Sequence, residues 1–248
     1  MTSSVQLFSY FSPYSSTLVE TGTYLGDGVS RALQAGFKKV FSCEINAELV
    51  ERARGIFDVN NVEIVHAPSE KALAIFLEKI NSRAVFFLDG HAMPESDTST
   101  VFGSSSLVDG VSEDPQTFSP LMVELGLISK HARKDHIILI DDRQCFDTWM
   151  FDFLKEDTVK QFVRSINPNY QFSYFDNVLC CYPKNNLLSF KIWFDQIRAR
   201  IAQRFSRLTN FLTLLFLDFT ALVFNLSYVF ADKLSSYRKR FRVGNAAH

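Results

Sequence analysis

Four short stretches of this chain carry side chains that could do chemistry. The first, Glu20-Thr21-Gly22-Thr23-Tyr24-Leu25-Gly26-Asp27-Gly28, follows the apolar pair Leu18-Val19 and leads into a helix-like pattern from Val29 to Ala35. A strand, glycine turn and helix start of this kind offers unpaired backbone N–H groups to a polar or anionic ligand, because glycine tolerates positive φ and lets the ligand approach. A dinucleotide site would read G-x-G-x-x-G. The spacing here, Glu20-x-Gly22-x-x-x-Gly26-x-Gly28, is wrong for NAD. The second stretch, Lys39-Val40-Phe41-Ser42-Cys43-Glu44, ends in an acid placed where a βαβ nucleoside site needs an acceptor for ribose hydroxyls. Without the glycine loop, Glu44 would read as a surface residue opening the next helix.

The third and fourth stretches are apolar runs that break into polar residues. Ala84 to Leu88 stops at Asp89-Gly90-His91, and Ile137 to Ile140 stops at Asp141-Asp142. Continuous apolar runs of this length suit strands buried on both faces of a parallel sheet. Polar residues at the carboxyl ends of such strands mark the functional edge. His91 is the candidate general base, since an imidazole titrates near neutral pH.

These stretches need a scaffold that sets them side by side. Val62 to His66 reads as a third strand between those bearing Glu44 and Asp89, and Ser69 as the N-cap of a helix carrying Ala72, Leu73, Phe76 and Ile80. Residues 1–17, rich in Ser, Tyr and Phe, read as a lead-in across the cofactor cleft. Residues 92–119 form a long loop of Ser, Thr, Asp and Gly, the composition of a lid or binding loop. Helical patterns follow over Leu121–His131 and Phe146–Ile166, and then a hairpin, with strands over 171–175 and 178–182 turning at Asp176-Asn177.

Together Glu20-Thr-Gly22-Thr-Tyr-Leu-Gly26, Glu44, Phe87-Leu-Asp89-Gly-His91 and Ile138-Leu-Ile-Asp141-Asp142 resemble class I S-adenosylmethionine-dependent methyltransferases. The likeness is greatest to metal-dependent sugar O-methyltransferases of the macrocin O-methyltransferase type, and it spans about residues 15–184. It implies an α/β fold: a Rossmann-like seven-stranded sheet with a C-terminal antiparallel hairpin, to which this chain adds an α-helical C-terminal appendage. It implies a cofactor, S-adenosyl-L-methionine, held by Glu20, Gly22, Thr23, Gly26, Glu44, Ser69 and Asp89. Where many relatives carry Gly-Asp after the third strand, this chain has Ala67-Pro68, leaving Ser69 or backbone to meet the adenine.

In that fold the fourth and fifth strands are neighbours, so Asp89, Asp141 and Asp142 are expected to converge. Crowded carboxylates either rise in pKa or hold a cation, and an all-oxygen set suits a divalent metal, Mg²⁺ first. Such a metal would acidify an acceptor hydroxyl, with Asp89 and His91 as the catalytic residues. The expected reaction is methyl transfer to a hydroxyl of a sugar or glycan. The alternative is a noncatalytic protein of the same fold that binds a membrane or partner.

Composition divides the chain in two. The 248 residues are 47% hydrophobic with a net charge of −1, but from Leu187 onward ten Lys/Arg face three Asp/Glu, a balance of +7 against −8 for the rest. A methyltransferase domain is therefore expected over 1–186 and a basic, hydrophobic helical tail over 187–248. The acidic body argues against nucleic acid. Phe190, Phe194, Ile197, Ile201, Phe205 and Leu208 recur at helical spacing among arginines, and residues 209–231 lack any basic side chain. An interfacial anchor on the cytoplasmic leaflet is expected, with a spanning helix, or a homodimer or domain-packing interface, as alternatives. The four cysteines show no CxxC spacing, and Met1–Tyr14 lacks a signal-peptide pattern, which points to the cytoplasm.

Overall fold

A computed structural model describes residues 4–90, 119–195, 197, 198 and 201. Seven strands form one sheet: β1 (Thr17–Thr21), β2 (Lys39–Glu44), β3 (Val62–His66), β4 (Val85–Leu88), β5 (Ile137–Ile140), β6 (Tyr170–Phe175) and β7 (Val178–Pro183), in the order β3-β2-β1-β4-β5-β7-β6. All neighbours from β3 through β5 run parallel, while β7 lies antiparallel between β5 and β6. This is the Rossmann-like α/β fold expected, closed by the expected hairpin.

Period-two alternation assigns each strand residue to a face. Leu18, Val40, Val85, Phe87, Leu139 and Tyr182 pack on one side with α1 (Ser4–Phe11), α2 (Asp27–Gln34) and α3 (Ala47–Ile56). Val19, Phe41, Phe86, Ile138, Ile140 and Cys181 pack on the other with α4 (Ser69–Lys79), α5 (Leu121–Lys130) and α6 (Glu156–Ile166). β4 and β5 are buried at every position, which is why they read as unbroken apolar runs.

Two local expectations change. The N-terminal segment is a helix on the sheet face: Phe8 packs edge-on against Phe37 and Phe87, and Phe11 lies tilted against Tyr182. It does not form a lead-in over the cleft. The helix expected from Phe146 starts only at Glu156, because Asp147, Asp152 and Phe153 hold φ of 59°, 52° and 56°, values no α-helix admits. Two 3₁₀ turns, Arg143–Cys145 and Trp149–Phe151, occupy that stretch and bury Cys145 and Phe151.

The chain divides into compact units Met1–Ile192 and Trp193–His248. A helix starting at residue 186 contributes Leu188 and Ile192 to the core of the first unit, six residues past the expected boundary. Most of the second unit lies outside the described residues. Among the described residues no helix is long and apolar enough to cross a membrane.

Candidate active site

Strand order reverses between β1 and β4, neighbours in the middle of the sheet, and the glycine turn after β1 meets the end of β4 there. Gly22 holds φ +86°, and a Cβ on it would stand 2.5 Å from the carbonyl oxygen of Asp89. Only glycine permits both that backbone angle and that approach. The Gly22 and Thr23 amides donate to the Cys43 carbonyl at 3.1 and 2.9 Å, so the loop is stitched to the end of β2 as well. Gly26 is the left-handed N-cap of α2.

Glu44 stands at the tip of β2, half-buried. Its carboxylate accepts from the amides of Tyr24, Ile45 and Asn46 at 2.8, 2.9 and 3.0 Å, joining the loop to the start of α3. A carboxylate has about four acceptor positions, so capacity remains for a ribose hydroxyl.

Glu20 and Thr23, expected to touch the cofactor, lie beneath the loop at 2% exposure each. Ser42 donates to Glu20 Oε2 at 2.7 Å and shares a 2.6 Å hydrogen bond with the Thr23 hydroxyl. Burial lifts the Glu20 carboxyl to about 8, against the opposing effect of the Ser42 hydrogen bond. Gly28 adjoins the same acid: a Cβ there would fall 1.7 Å from Glu20 Oε1.

Ser69 is the first residue of α4, not its N-cap. Pro68 takes the cap position, and the Ser69 hydroxyl lies 3.5 Å from Glu70. His66, at the end of β3, pairs with the Ile45 carbonyl at 2.9 Å.

Asp89 and Asp141 continue the paired residues Leu88 and Ile140 and so stand on adjacent strands. The Asp141 amide donates to the Leu88 carbonyl at 3.1 Å, and the Asp89 amide to Thr21 Oγ1 at 3.1 Å. Burial, and after it the charges of Asp141 and Asp142, push the Asp89 carboxyl up to about 9. Asp142 takes φ +49°, and its Oδ1 accepts from Gln144 at 2.7 Å and Asn177 at 3.0 Å. Among the described residues no group of three His, Cys, Asp or Glu side chains could hold a metal ion. The described residues therefore assemble no three-donor metal site from Asp89, Asp141 and Asp142. His91 lies outside the described residues.

Sequence reasoning missed three residues at this edge. Glu124 is 1% exposed on α5, its Oε1 within 3.1 Å of where a Gly90 Cβ would be. With Leu88, Gly90, Ile140 and Phe151 it lines a cavity of about 10 Å³, roughly one water molecule's worth of space. Its signal was available, for Glu124 falls on the same helical face as Leu121, Leu125 and Ile128. Ser42 is a polar residue in an otherwise apolar run, and Asn177 is visible in sequence only as a turn residue.

No protein-family model matches the chain, and no curated protein sequence does. Solved structures similar to it include an SAH-bound methyltransferase from Podospora anserina, 14% identical over 75% of this chain and 80% of that one, with a TM-score of 0.44. A Staphylococcus aureus protein named as a caffeoyl-CoA O-methyltransferase is 13% identical over 73% and 83%, also at 0.44. Spermidine synthase from Thermotoga maritima is 15% identical over 73% and 57%, at 0.42. These neighbours include methyltransferases and a synthase, and at such scores what this chain does rests on its own residues.

Proposed function

We propose that the chain binds S-adenosylmethionine in the crevice between β1 and β4 and transfers its methyl group to a hydroxyl of a sugar or glycan. One observation carries the reading: at the reversal of strand order, where open α/β sheets bind nucleotides, the backbone of a glycine turn abuts the end of β4. The charge of the edge supports it. Glu44, Asp89 and Asp141 stand at the ends of β2, β4 and β5, and the sulfonium and ammonium charges of the ligand would favour the ionised form of these carboxyls, including that of Asp89, which burial otherwise holds protonated.

When bound, the cofactor supplies an electrophilic methyl group whose carbon–sulfur bond breaks as a carbon–oxygen bond to the acceptor forms. Glu44 would accept from the ribose hydroxyls through its remaining lone pairs. The backbone of Gly22 and Asp89 would line the crevice, and His91 would take the proton released by the acceptor hydroxyl. Positioning of acceptor and donor then contributes most of the rate. The sugar acceptor follows from the motif resemblance, and the +7 tail is read as a peripheral contact with the cytoplasmic membrane face that would bring the enzyme to a lipid-linked or surface-destined glycan.

Calorimetric titration of the full chain with S-adenosylhomocysteine tests the cofactor, and label transfer from methyl-labelled S-adenosylmethionine to a panel of sugar nucleotides and glycolipids tests the acceptor. Saturable one-to-one binding with label in a hydroxyl ether is expected. A folded chain that binds neither S-adenosylhomocysteine nor S-adenosylmethionine ends the reading and leaves the noncatalytic alternative.

A further inference from the structure

Glu20, Ser42 and Thr23 form a closed polar chain in the interior, at 2%, 0% and 2% exposure. A serine hydroxyl has one proton, and Ser42 directs it to Glu20 Oε2 at 2.7 Å. The Thr23 hydroxyl shares a 2.6 Å hydrogen bond with Ser42, so the chain links Thr23 through Ser42 to Glu20. The other carboxyl oxygen of Glu20 occupies the space beside Gly28 that a Cβ would fill. One buried acid thus meets the start of α2 directly and the glycine turn through a single hydroxyl.

We propose that Ser42 is a positioning residue, which transmits the location of Glu20 to Thr23 and so sets the backbone of residues 22–24 for the cofactor. The proposal rests on the cofactor reading above and assigns Glu20 and Thr23 to the support of the loop, in place of contact with the ligand. Three features carry it. All three side chains are withdrawn from the crevice, they are mutually hydrogen-bonded, and burying such groups is unfavourable unless each finds its partner. The loop they underlie is fixed on its other side by Glu44, which accepts from the Tyr24 amide at 2.8 Å. Residues 22–24 are held between an interior tie at Thr23 and a rim tie at Tyr24.

Thr23→Val, nearly isosteric, removes the hydroxyl and keeps the packing. Thr23→Ser restores the hydroxyl, and Ser42→Ala removes the link itself. Hydrogen exchange at the Gly22, Thr23 and Tyr24 amides of the full chain, without ligand, reads the loop. Titration with S-adenosylhomocysteine reads its consequence. Thr23→Val and Ser42→Ala should exchange faster at these amides and bind about tenfold more weakly, and Thr23→Ser should behave as wild type. A role confined to stability would lower the melting temperature of the folded variants without altering their affinity. Unchanged exchange at the three amides in folded Thr23→Val overturns the proposal. If wild type binds no S-adenosylhomocysteine while exchange responds as expected, the tie stands and the cofactor reading falls.

Discussion

Asn177, at the tip of the β6–β7 hairpin, donates from Nδ2 to Asp142 Oδ1 at 3.0 Å. The same side chain accepts from the Gln144 amide at 3.1 Å, and its backbone carbonyl accepts from the Arg143 amide at 2.9 Å. A turn 35 positions downstream therefore fixes the residues that follow β5. It also engages Asp142 Oδ1, one of the oxygens expected on a metal.

Replacing Asn177 should reveal this through charge. Asn177→Ala removes one donor and one acceptor and should destabilise the fold by about 1–2 kcal/mol in urea unfolding. Asn177→Asp keeps an acceptor for Gln144 but sets a second carboxylate against Asp142. At pH 7 it should be less stable than the alanine variant, and the gap should narrow as pH falls toward 4. Equal stability of the two variants at pH 7 would show that Asn177 and Asp142 do not interact in solution.

Gly28 offers a separable test of the buried acid. A Cβ there would overlap Glu20 Oε1 at 1.7 Å, and Glu20 cannot swing away freely because it is 2% exposed and bonded to Ser42. Gly28→Ala should destabilise the chain by about 1–3 kcal/mol. In a Glu20→Ala background the same change should do much less, giving a coupling of about 0.5–3 kcal/mol in a double-mutant cycle. Strict additivity would mean that the two residues do not meet.

Gly22 tests the crevice itself. Its φ of +86° and the backbone oxygen 2.5 Å from any Cβ leave a side chain nowhere to go. Gly22→Val should lose S-adenosylhomocysteine binding by more than about a hundredfold, and Gly22→Ala by less, with thermal melting used to confirm folding. Wild-type affinity in a folded Gly22→Val protein would place the cofactor elsewhere.

The pH dependence of stability should carry the mark of His136. The Ala84 amide can only donate, so His136 Nδ1 accepts from it at 3.1 Å and Nε2 carries the proton, shared with His131 Nδ1 at 2.8 Å. Burial, and next the neighbouring His131, lower the His136 pKa from 6.5 to about 4. The unfolded chain then binds the extra proton first as pH falls. The contribution is fully present above pH 6.5 and is lost between pH 6.5 and 4, by about 3 kcal/mol. Urea unfolding from pH 7.5 to 4 should show a shallower decline in His136→Gln than in wild type. Parallel curves would refute a neutral, buried His136.

Much of this was legible in sequence because local physics dictated it. β4 and β5 are buried on both faces and so read as unbroken apolar runs, and Gly22 is required by a backbone angle. The hairpin was visible because Asp176-Asn177 is a strong turn pair between apolar strands. What stayed hidden depends on distant partners. Phe8 and Phe11 become a core helix only against Phe87 and Tyr182, and the pattern over 146–155 gives way to three positive-φ residues. Glu20 looked like a ligand contact, because only folding reveals that Ser42 and Gly28 enclose it.

The tail gives the last prediction. The segment from Leu187 carries +7 beside a body of −8, and Arg238-Lys239-Arg240 follows the 209–231 run that contains no basic residue. Residues 202–248 lie outside the described residues, so the test rests on charge. Attraction to an anionic leaflet contributes about 1 kcal/mol per basic residue near the surface, so converting these three residues to alanine should weaken partition by up to about 3 kcal/mol, roughly a hundredfold. The full chain should co-sediment with phosphatidylserine-containing vesicles, less so with purely zwitterionic ones, and should be released as salt rises and shortens the reach of each charge. Retention through high salt and an alkaline carbonate wash would identify a spanning helix. A chain that stays in the supernatant with anionic vesicles at low salt, and sediments in an ultracentrifuge as a dimer, would make the tail an interface between copies and refute the membrane reading.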